Sequence, residues 1–411
     1  MESNLNDVIE GWSEISLGDV LKYEQPYKYA VEDAHYNANS GIPVLTAGKS
    51  FILGYTNETS GVYSKLPIII FDDFTTDCKY VDFPFKVKSS AMKFLNERNE
   101  NEVDLKFIFE VLQTVKLRTT GGDHKRRWIS EFSKIRIKAP KFSEQTRIAQ
   151  ILSKADAAIT QTEALIAKYQ RIKTGLMQDL LTKGIDEHGN IRSKQTHPFV
   201  MKNGIEVPEE WEVGCLATLI KAVDAHPSHR TPQSVENGIP YLGISDIDEY
   251  RNIDLKKCRK VSHLVLYEHN HRYQLRNGDI IFGKIGTIGE PKRLKAWQDV
   301  TISANVILIQ PHNTPDFIFW VLNSEYILTQ VKNTIHSTTQ PAFGMEKIRA
   351  LTILIPPKTE REDIERILNK MENNLISTRI KLQKLQSLKT GLMQDLLSGK
   401  VMVKMKEEVT A

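Results

Sequence analysis

The chain has 411 residues, 40% hydrophobic and 26% charged, with a net charge of +4, which is the balance of a soluble globular protein of two to three domains. No stretch approaches the 18 or so apolar residues of a membrane span, the acidic start Met1-Glu-Ser-Asn-Leu-Asn-Asp7 lacks a signal-peptide core, and three isolated cysteines (Cys78, Cys215, Cys258) argue against disulfides and a Cys-rich zinc site and fit a reducing cytoplasm. The mildly positive charge permits nucleic-acid binding without arguing for it.

The first 143 residues alternate short apolar runs with turn signals. Ile42-Pro-Val-Leu45, Phe51-Ile-Leu-Gly-Tyr55, Leu66-Pro-Ile-Ile-Ile-Phe71 and Tyr80-Val-Asp-Phe-Pro-Phe85 read as strands, and residues 101–117 as a helix. Asp72-Asp-Phe-Thr-Thr76 follows a buried strand; it either offers acceptors to cytosine amines or forms a tight turn. Lys86, Lys88, Ser89 and Ser90 make a second polar stretch. From 116 to 141 there are nine Lys/Arg against Asp123 and Glu131, centred on Thr119-Thr-Gly-Gly-Asp-His-Lys-Arg-Arg-Trp128. Glycines let a backbone approach phosphates, Lys and Arg neutralise them, and Arg or His reads guanine edges. A solvated charged loop is the competing reading.

Residues 144–182 carry apolar positions at Ile148, Leu152, Ala155, Ile159, Thr162, Ile166 and Tyr169, an a/d seam that starts just after Pro140. A helix of this length spans roughly 55 Å. It ends in Lys173-Thr-Gly-Leu-Met-Gln-Asp-Leu-Leu181, which returns letter for letter as Lys389-Thr-Gly-Leu-Met-Gln-Asp-Leu-Leu397, 216 residues later. This is an internal duplication, and such repeats dominate a fold. At the same offset Glu144 falls on Glu360, Ile148 on Ile364 and Ile151-Leu152 on Ile367-Leu368, with no gap from Pro140 to Leu181. Residues 359–399 therefore form a second helix, with the seam Ile364, Leu368, Met371, Leu375, Thr378, Leu382, Leu385. Each helix packed on its own domain would give a similar pattern; the matched seam favours packing on one another. Gly175 and Gly391 each cost about 1 kcal/mol relative to alanine, and either admit a partner's backbone or are merely tolerated.

Residues 183–210 read as a linker, and 211–358 as a second mixed domain. Trp211 stands five residues before Leu216, as Trp12 stands before Leu17. Gly238-Ile-Pro-Tyr-Leu242 echoes Gly41-Ile-Pro-Val-Leu45. Strands are expected at 239–242, 279–282, 301–309 and 351–355, and a helix at 315–332. Gly283-Lys-Ile-Gly-Thr-Ile-Gly289 resembles a phosphate cradle, but it lacks both the P-loop ending and the dinucleotide spacing, so a DNA backbone suits it better. His336-Ser-Thr-Thr-Gln340 holds the place that 119–125 holds in the first copy, and its side chains can bond phosphates or adenine. Residues 400–411 form a polar tail.

Enzymatic readings fail in turn. Asp279, Glu290 and Lys292 have the order of a metal-dependent nuclease, but Pro291 splits the last two where a strand should present them. His226 with His229, and His269 with His271, lack the context of a zinc site. The only Pro-Pro, in Ile355-Pro-Pro-Lys358, lacks the Asn/Asp and aromatic flanks of an amine methyltransferase motif.

The repeated nonapeptide, the Glu144-Gln-Thr-Arg-Ile-Ala-Gln-Ile-Leu152 helix start, the Trp-x4-Leu entries, Phe71-Asp-Asp-Phe-Thr-Thr76, Lys88-Ser-Ser-Ala-Met92, Gly278-Asp-Ile-Ile-Phe282 and Gly286-Thr-Ile-Gly289 together carry a resemblance. Over nearly its whole length the chain resembles the specificity subunit of a type I restriction-modification enzyme. One departure is Glu360-Arg-Glu-Asp-Ile364 in place of Glu144-Gln-Thr-Arg-Ile148. The resemblance implies an α+β fold: two mixed target-recognition domains separated by two long antiparallel helices, with an internal pseudo-two-fold repeat. It implies that each domain reads half of a split, asymmetric double-stranded DNA site while the helices set the gap. It further implies two modification (methyltransferase) subunits with S-adenosylmethionine and two restriction (motor-nuclease) subunits with ATP and magnesium. No cofactor, metal or catalytic residue falls to this chain. The expected DNA contacts are Lys49, Thr75, Thr76, Lys86, Lys88, Ser89, His124, Lys125, Arg126 and Arg127 in the first domain. In the second they are His229, Arg230, Lys284, Thr287, Lys292, Arg293, Ser337, Thr338 and Gln340. The expected partner contacts are Gly175, Leu176, Leu180, Gly391, Leu392 and Leu396. A stand-alone DNA-binding or interaction scaffold is the alternative, with a metal-dependent nuclease behind it.

Overall fold

A computed structural model describes residues 11–33, 35–46, 50–88, 91–115, 126–226, 230–248, 252–294, 299–335 and 342–403. It resolves into two compact units, Met1–Thr162 with Lys381–Ala411, and Glu163–Ile380. Both long helices, Phe142–Leu180 and Lys358–Leu396, run from one unit into the other. All fourteen seam positions are buried or half-buried. Thr162 and Thr378, the polar members of the seam, satisfy their hydroxyls on the carbonyls of Ala158 and Asn374 four residues back, so they enter the interior without an unpaired donor. Among the described residues no helix is long and apolar enough to cross a membrane.

The first unit is built on a four-stranded antiparallel sheet in the order Leu21–Glu24, Met92–Glu97, Ile68–Asp72, Cys78–Val81. Both faces of its central strand are covered. Ile69 and Phe71 face a core with Phe107, Trp128, Ile148 and Leu152. Ile68 and Ile70 face a second cluster with Leu45, Tyr63 and Phe85. That two-sided burial is why the strand reads as an unbroken apolar run. Ile42–Leu45 lies between Ile52–Thr56 and, in parallel, Lys86–Val87. Ser13–Ser16 pairs with Arg136–Ala139 and closes the unit. Asp104 caps the helix Leu105–Thr114 through the amide of Phe107.

The second unit repeats this plan within itself. Its four-stranded sheet has the order Ile220–Asp224, Val306–Pro311, Ile280–Gly283, Pro291–Arg293. Ile239–Leu242 lies between Lys260–Val261 and, in parallel, Thr301–Ile302, and Glu212–Cys215 pairs with Thr352–Ile355. Phe107-Ile-Phe109 of the first unit returns as Phe317-Ile-Phe319, on the equivalent helix. The helix expected at 315–332 is two, Pro315–Leu322 and Glu325–Ile335. Ser324 breaks it by taking the amide of Ile327 on its hydroxyl, which starts the second helix. The linker is not featureless. Phe199–Lys202 and Ile205–Pro208 form a hairpin across Asn203 and Gly204, both at positive φ, the geometry that an Asn-Gly turn favours.

The nonapeptides close the frame. In the second unit the Lys173 ammonium lies 3.5 Å from Glu372 and 4.9 Å from the Trp320 ring centroid. In the first, Lys389 lies 2.5 Å from Asp156 and 3.3 Å from Glu110. Asp156 and Glu372 are equivalent positions of the two helices, so both pairs report one antiparallel register. Leu180 and Leu396 are buried in the cores of the second and first units. The apolar body of each repeat is thus anchored within the chain, which corrects the expectation that these two leucines face a partner. Gly175 is exposed, Leu176, Gly391 and Leu392 are half-buried, and a Cβ on either glycine would meet nothing within 4 Å.

Candidate nucleic-acid interface

In the first unit the site is the turn between Ile68–Asp72 and Cys78–Val81. Buried Asp72 accepts from the amide of Phe74 at 2.8 Å and the hydroxyl of Thr75 at 3.0 Å. Thr76, at positive φ, donates its amide to the Asp72 carbonyl. Asp73 accepts the Trp128 amide at 3.0 Å and lies 3.0 Å from the Lys93 ammonium. Two stretches far apart in sequence, 72–76 and 126–128, are thereby brought together. Thr75 and Arg126 are exposed, and Thr76 and Arg127 half-buried. Lys88 is exposed, with its ammonium 5.6 Å from the Tyr36 ring centroid.

The second unit builds the same corner with different residues. The turn between Ile280–Gly283 and Pro291–Arg293 starts at Lys284, whose carbonyl accepts the amide of buried Phe343 at 3.0 Å. Phe343 stands just before a short helix, Met345–Arg349, and Trp128 is the second residue of another, Arg127–Ser130. The turn folds back so tightly that a Cβ on Gly283 would sit 1.9 Å from the Thr287 carbonyl, so only glycine fits there. Thr287 is exposed beside a polar cleft of about 440 Å³ lined by Tyr241, Ser245, Arg259, Ser303 and Asn305. None of these five was legible as a contact residue in the sequence, because the cleft brings together three stretches, 241–245, 259 and 303–305, that meet only in the fold.

Three expected DNA contacts lie in the interior instead. Lys86 is 2% exposed and is held by Glu58 and, at 2.8 Å, the Ser60 carbonyl. Lys284 is buried with its ammonium 2.8 Å from Asp224. The Arg293 side chain is 8% exposed, pairs with Asp316 and Glu372, and stacks 4.0 Å from the Phe319 ring centroid. Each charge is neutralised by a carboxylate distant in sequence, so these residues hold the fold together. Arg230 is exposed and Lys292 half-buried within a strand. Lys49, Ser89, His124, Lys125, His229, Ser337, Thr338 and Gln340 lie outside the described residues.

The residues weighed for catalysis have structural partners. The Asp279 carboxylate accepts from the Arg276 amide at 2.8 Å and from Gln310 at 2.9 Å. His269 is buried against the His226 ring, with Tyr273 and Thr301 bonded to its Nδ1. Burial, then the neighbouring His226 and Arg272, push its pKa down to about 4.

Residues 9–171 and 208–387 match the type I restriction modification DNA specificity domain. The Escherichia coli EcoR124I/EcoR124II specificity subunit is 46% identical over 173 residues, 40% of this chain and 42% of that protein. The Methanocaldococcus jannaschii MjaVIII specificity subunit is 24% identical over 97% of this chain and 94% of its own. In fold, the S subunit of a type I restriction-modification system from M. genitalium superposes with a TM-score of 0.65 at 15% identity, covering 98% of this chain and 99% of that one. The family model matches twice, and the two matches together span most of the chain, so the chain belongs to the type I restriction-modification DNA specificity subunits.

Proposed function

We propose that this chain selects the DNA sequence at which a type I restriction-modification complex acts, each unit reading one half of a two-part site. The observation that carries this reading is the repeated corner. In both units a turn at the end of a central strand accepts the backbone amide of a buried aromatic, Trp128 on the Asp73 carboxylate and Phe343 on the Lys284 carbonyl. The frame around the corners is held by identical nonapeptides, while the corners themselves differ: Asp73-Phe-Thr-Thr76 against Lys284-Ile-Gly-Thr287. Divergence at the corners on a constant frame suits two different half-sites. The paired helices fix the gap between the half-sites.

The exposed positions of the nonapeptides, Thr174 and Gln178 with Thr390 and Gln394, and the glycines Gly175 and Gly391 between them are identical in the two copies and suit two copies of one methyltransferase partner. S-adenosylmethionine, ATP and magnesium would be held by the methyltransferase and motor-nuclease subunits, and this chain would perform no chemistry in the cytoplasm where they act. Exchanging residues 13–143 for the counterpart of another family member tests the reading: mapping of methylated sites should show one half-site replaced and the other kept. Replacement of both halves would refute it.

A further inference from the structure

The two corners share one feature, an exposed apolar side chain on the turn. Phe74, at the tip of the first turn, is 58% exposed, and Ile285, at the equivalent tip of the second, is 48% exposed. Lone exposed apolar side chains are ordinary on a protein surface. These two are not independent, because each follows by three positions an equivalent buried phenylalanine, Phe71 or Phe282, of the matching central strand. Neither tip is loosely held. Asp72 fixes Phe74 through its own amide, and Thr287 donates its amide to the Ile285 carbonyl at 3.0 Å. An exposed threonine lies close to each, Thr75 next to Phe74 and Thr287 two residues after Ile285, and Ile285 stands on the rim of the polar cleft. Between the shared phenylalanine and a shared threonine (Thr76, Thr287), Asp72-Asp73 and Thr75 are replaced by Gly283-Lys284 and Gly286, while the apolar character of the position between them has stayed.

We infer that Phe74 and Ile285 are the apolar base contacts of the two half-sites, each pressed into a groove against the hydrophobic surface of a base. The inference rests on the DNA-reading role proposed above and adds the residues that touch bases. Two surfaces share this chemistry, the thymine 5-methyl group in the major groove and the face of a base opened at a step by an apolar wedge. A fixed backbone matters for either, since a turn already held by its own hydrogen bonds loses little freedom on binding.

The test uses the full chain co-expressed with its methyltransferase partner. The wild-type complex first defines both half-sites by methylation mapping; failure at that step would count against the DNA-reading role itself. Phe74→Ser should then weaken binding or relax sequence choice roughly tenfold at the half-site read by the first unit alone. Ile285→Ser should do the same at the other. Phe74→Leu and Ile285→Val should largely retain the wild-type pattern, and the effect of each serine variant should stay confined to its own half-site, which a loss of folding would not do. Two arms separate the surfaces. Uracil in place of thymine lowers wild-type but not variant affinity if the methyl group is the contact. 2-Aminopurine at the step brightens with wild type but not with the variant if the tip is a wedge. Unaltered half-site preference in both serine variants, or weakened binding with neither arm responding, would overturn the inference.

Discussion

Lys173 and Lys389 occupy the same place in identical nonapeptides, yet their loss should be felt differently. Glu110, fully buried, has no well-aligned hydrogen bond to either carboxylate oxygen and depends on the ammonium groups of Lys106 at 3.0 Å and Lys389 at 3.3 Å. Burial lowers the Lys389 pKa, but bonding to Asp156 and the charge of Glu110 outweigh it and hold the ammonium above its ordinary value. Breaking a buried ion pair from one side costs about 3–5 kcal/mol. Because Lys106 remains and Lys389 is partly solvated, Lys389→Met should cost about 2 kcal/mol. In the second unit the position of Glu110 is taken by Trp320, and Glu372 keeps Arg293 when Lys173 goes. Lys173→Met forfeits a half-solvated pair and a cation–π contact, about 1 kcal/mol. Amide hydrogen exchange reads each unit separately. Exchange of Leu105–Thr114 should accelerate roughly 30-fold in Lys389→Met, and that of Pro315–Leu322 roughly 5-fold in Lys173→Met. Adding Glu110→Gln to Lys389→Met should restore most of the loss. Equal acceleration in the two variants, or no rescue, would refute the account of these two anchors.

Three further outcomes are expected. The unfolded His269 imidazole takes its proton near pH 6.5 while the folded one resists to about 4, so the unfolded state binds the proton first. Stability of the second unit should be full above pH 6.5 and fall as pH drops toward 4, by roughly 3 kcal/mol; a melting profile flat across that range would contradict this. Inserting four residues after Ala164 and four after Ile380 adds about 6 Å to each helix and should widen the gap in the methylated site by about two base pairs at roughly 3.4 Å each; an unchanged gap would sink the idea that the helices measure it. Arg126→Ala with Arg127→Ala should weaken DNA binding and reduce its salt dependence without changing the melt, whereas Arg293→Ala should lower the melting temperature. Reversed effects would exchange the roles assigned to surface and interior arginines.

What could be read from sequence follows from how local each signal is. The long helices and their duplication stand in a seam and an identity that need no knowledge of the rest of the chain. The central strands show as apolar runs because both of their faces are buried. Thr352–Ile355 showed as the apolar run 351–355, but the pairings that close each unit, Ser13–Ser16 with Arg136–Ala139 and Glu212–Cys215 with Thr352–Ile355, escaped because their partners lie more than a hundred residues apart. The hairpin around Asn203-Gly204 had its turn signal in plain view, and the surrounding Gly, Asn and Lys made it read as linker.

Burial of charge was the least legible property. Lys86, Lys284 and Arg293 look like Arg126 in a sequence, and only the arrival of Glu58, Asp224, Asp316 and Glu372 separates them. The nonapeptide divides in a related way. Identity over nine residues suggested a partner surface, while Lys173, Leu180, Lys389 and Leu396 serve the frame. A duplicated frame constrains its own anchors as strictly as any partner would.

The central claim is that this chain chooses a two-part DNA site for a methyltransferase it does not itself contain. The most direct measurement is genome-wide mapping of methylated adenines in cells expressing the methyltransferase partner with and without this chain. The account predicts methylation only when both are present, at one motif made of two unlike halves separated by a fixed gap. A contiguous motif, or methylation that persists without this chain, would contradict it.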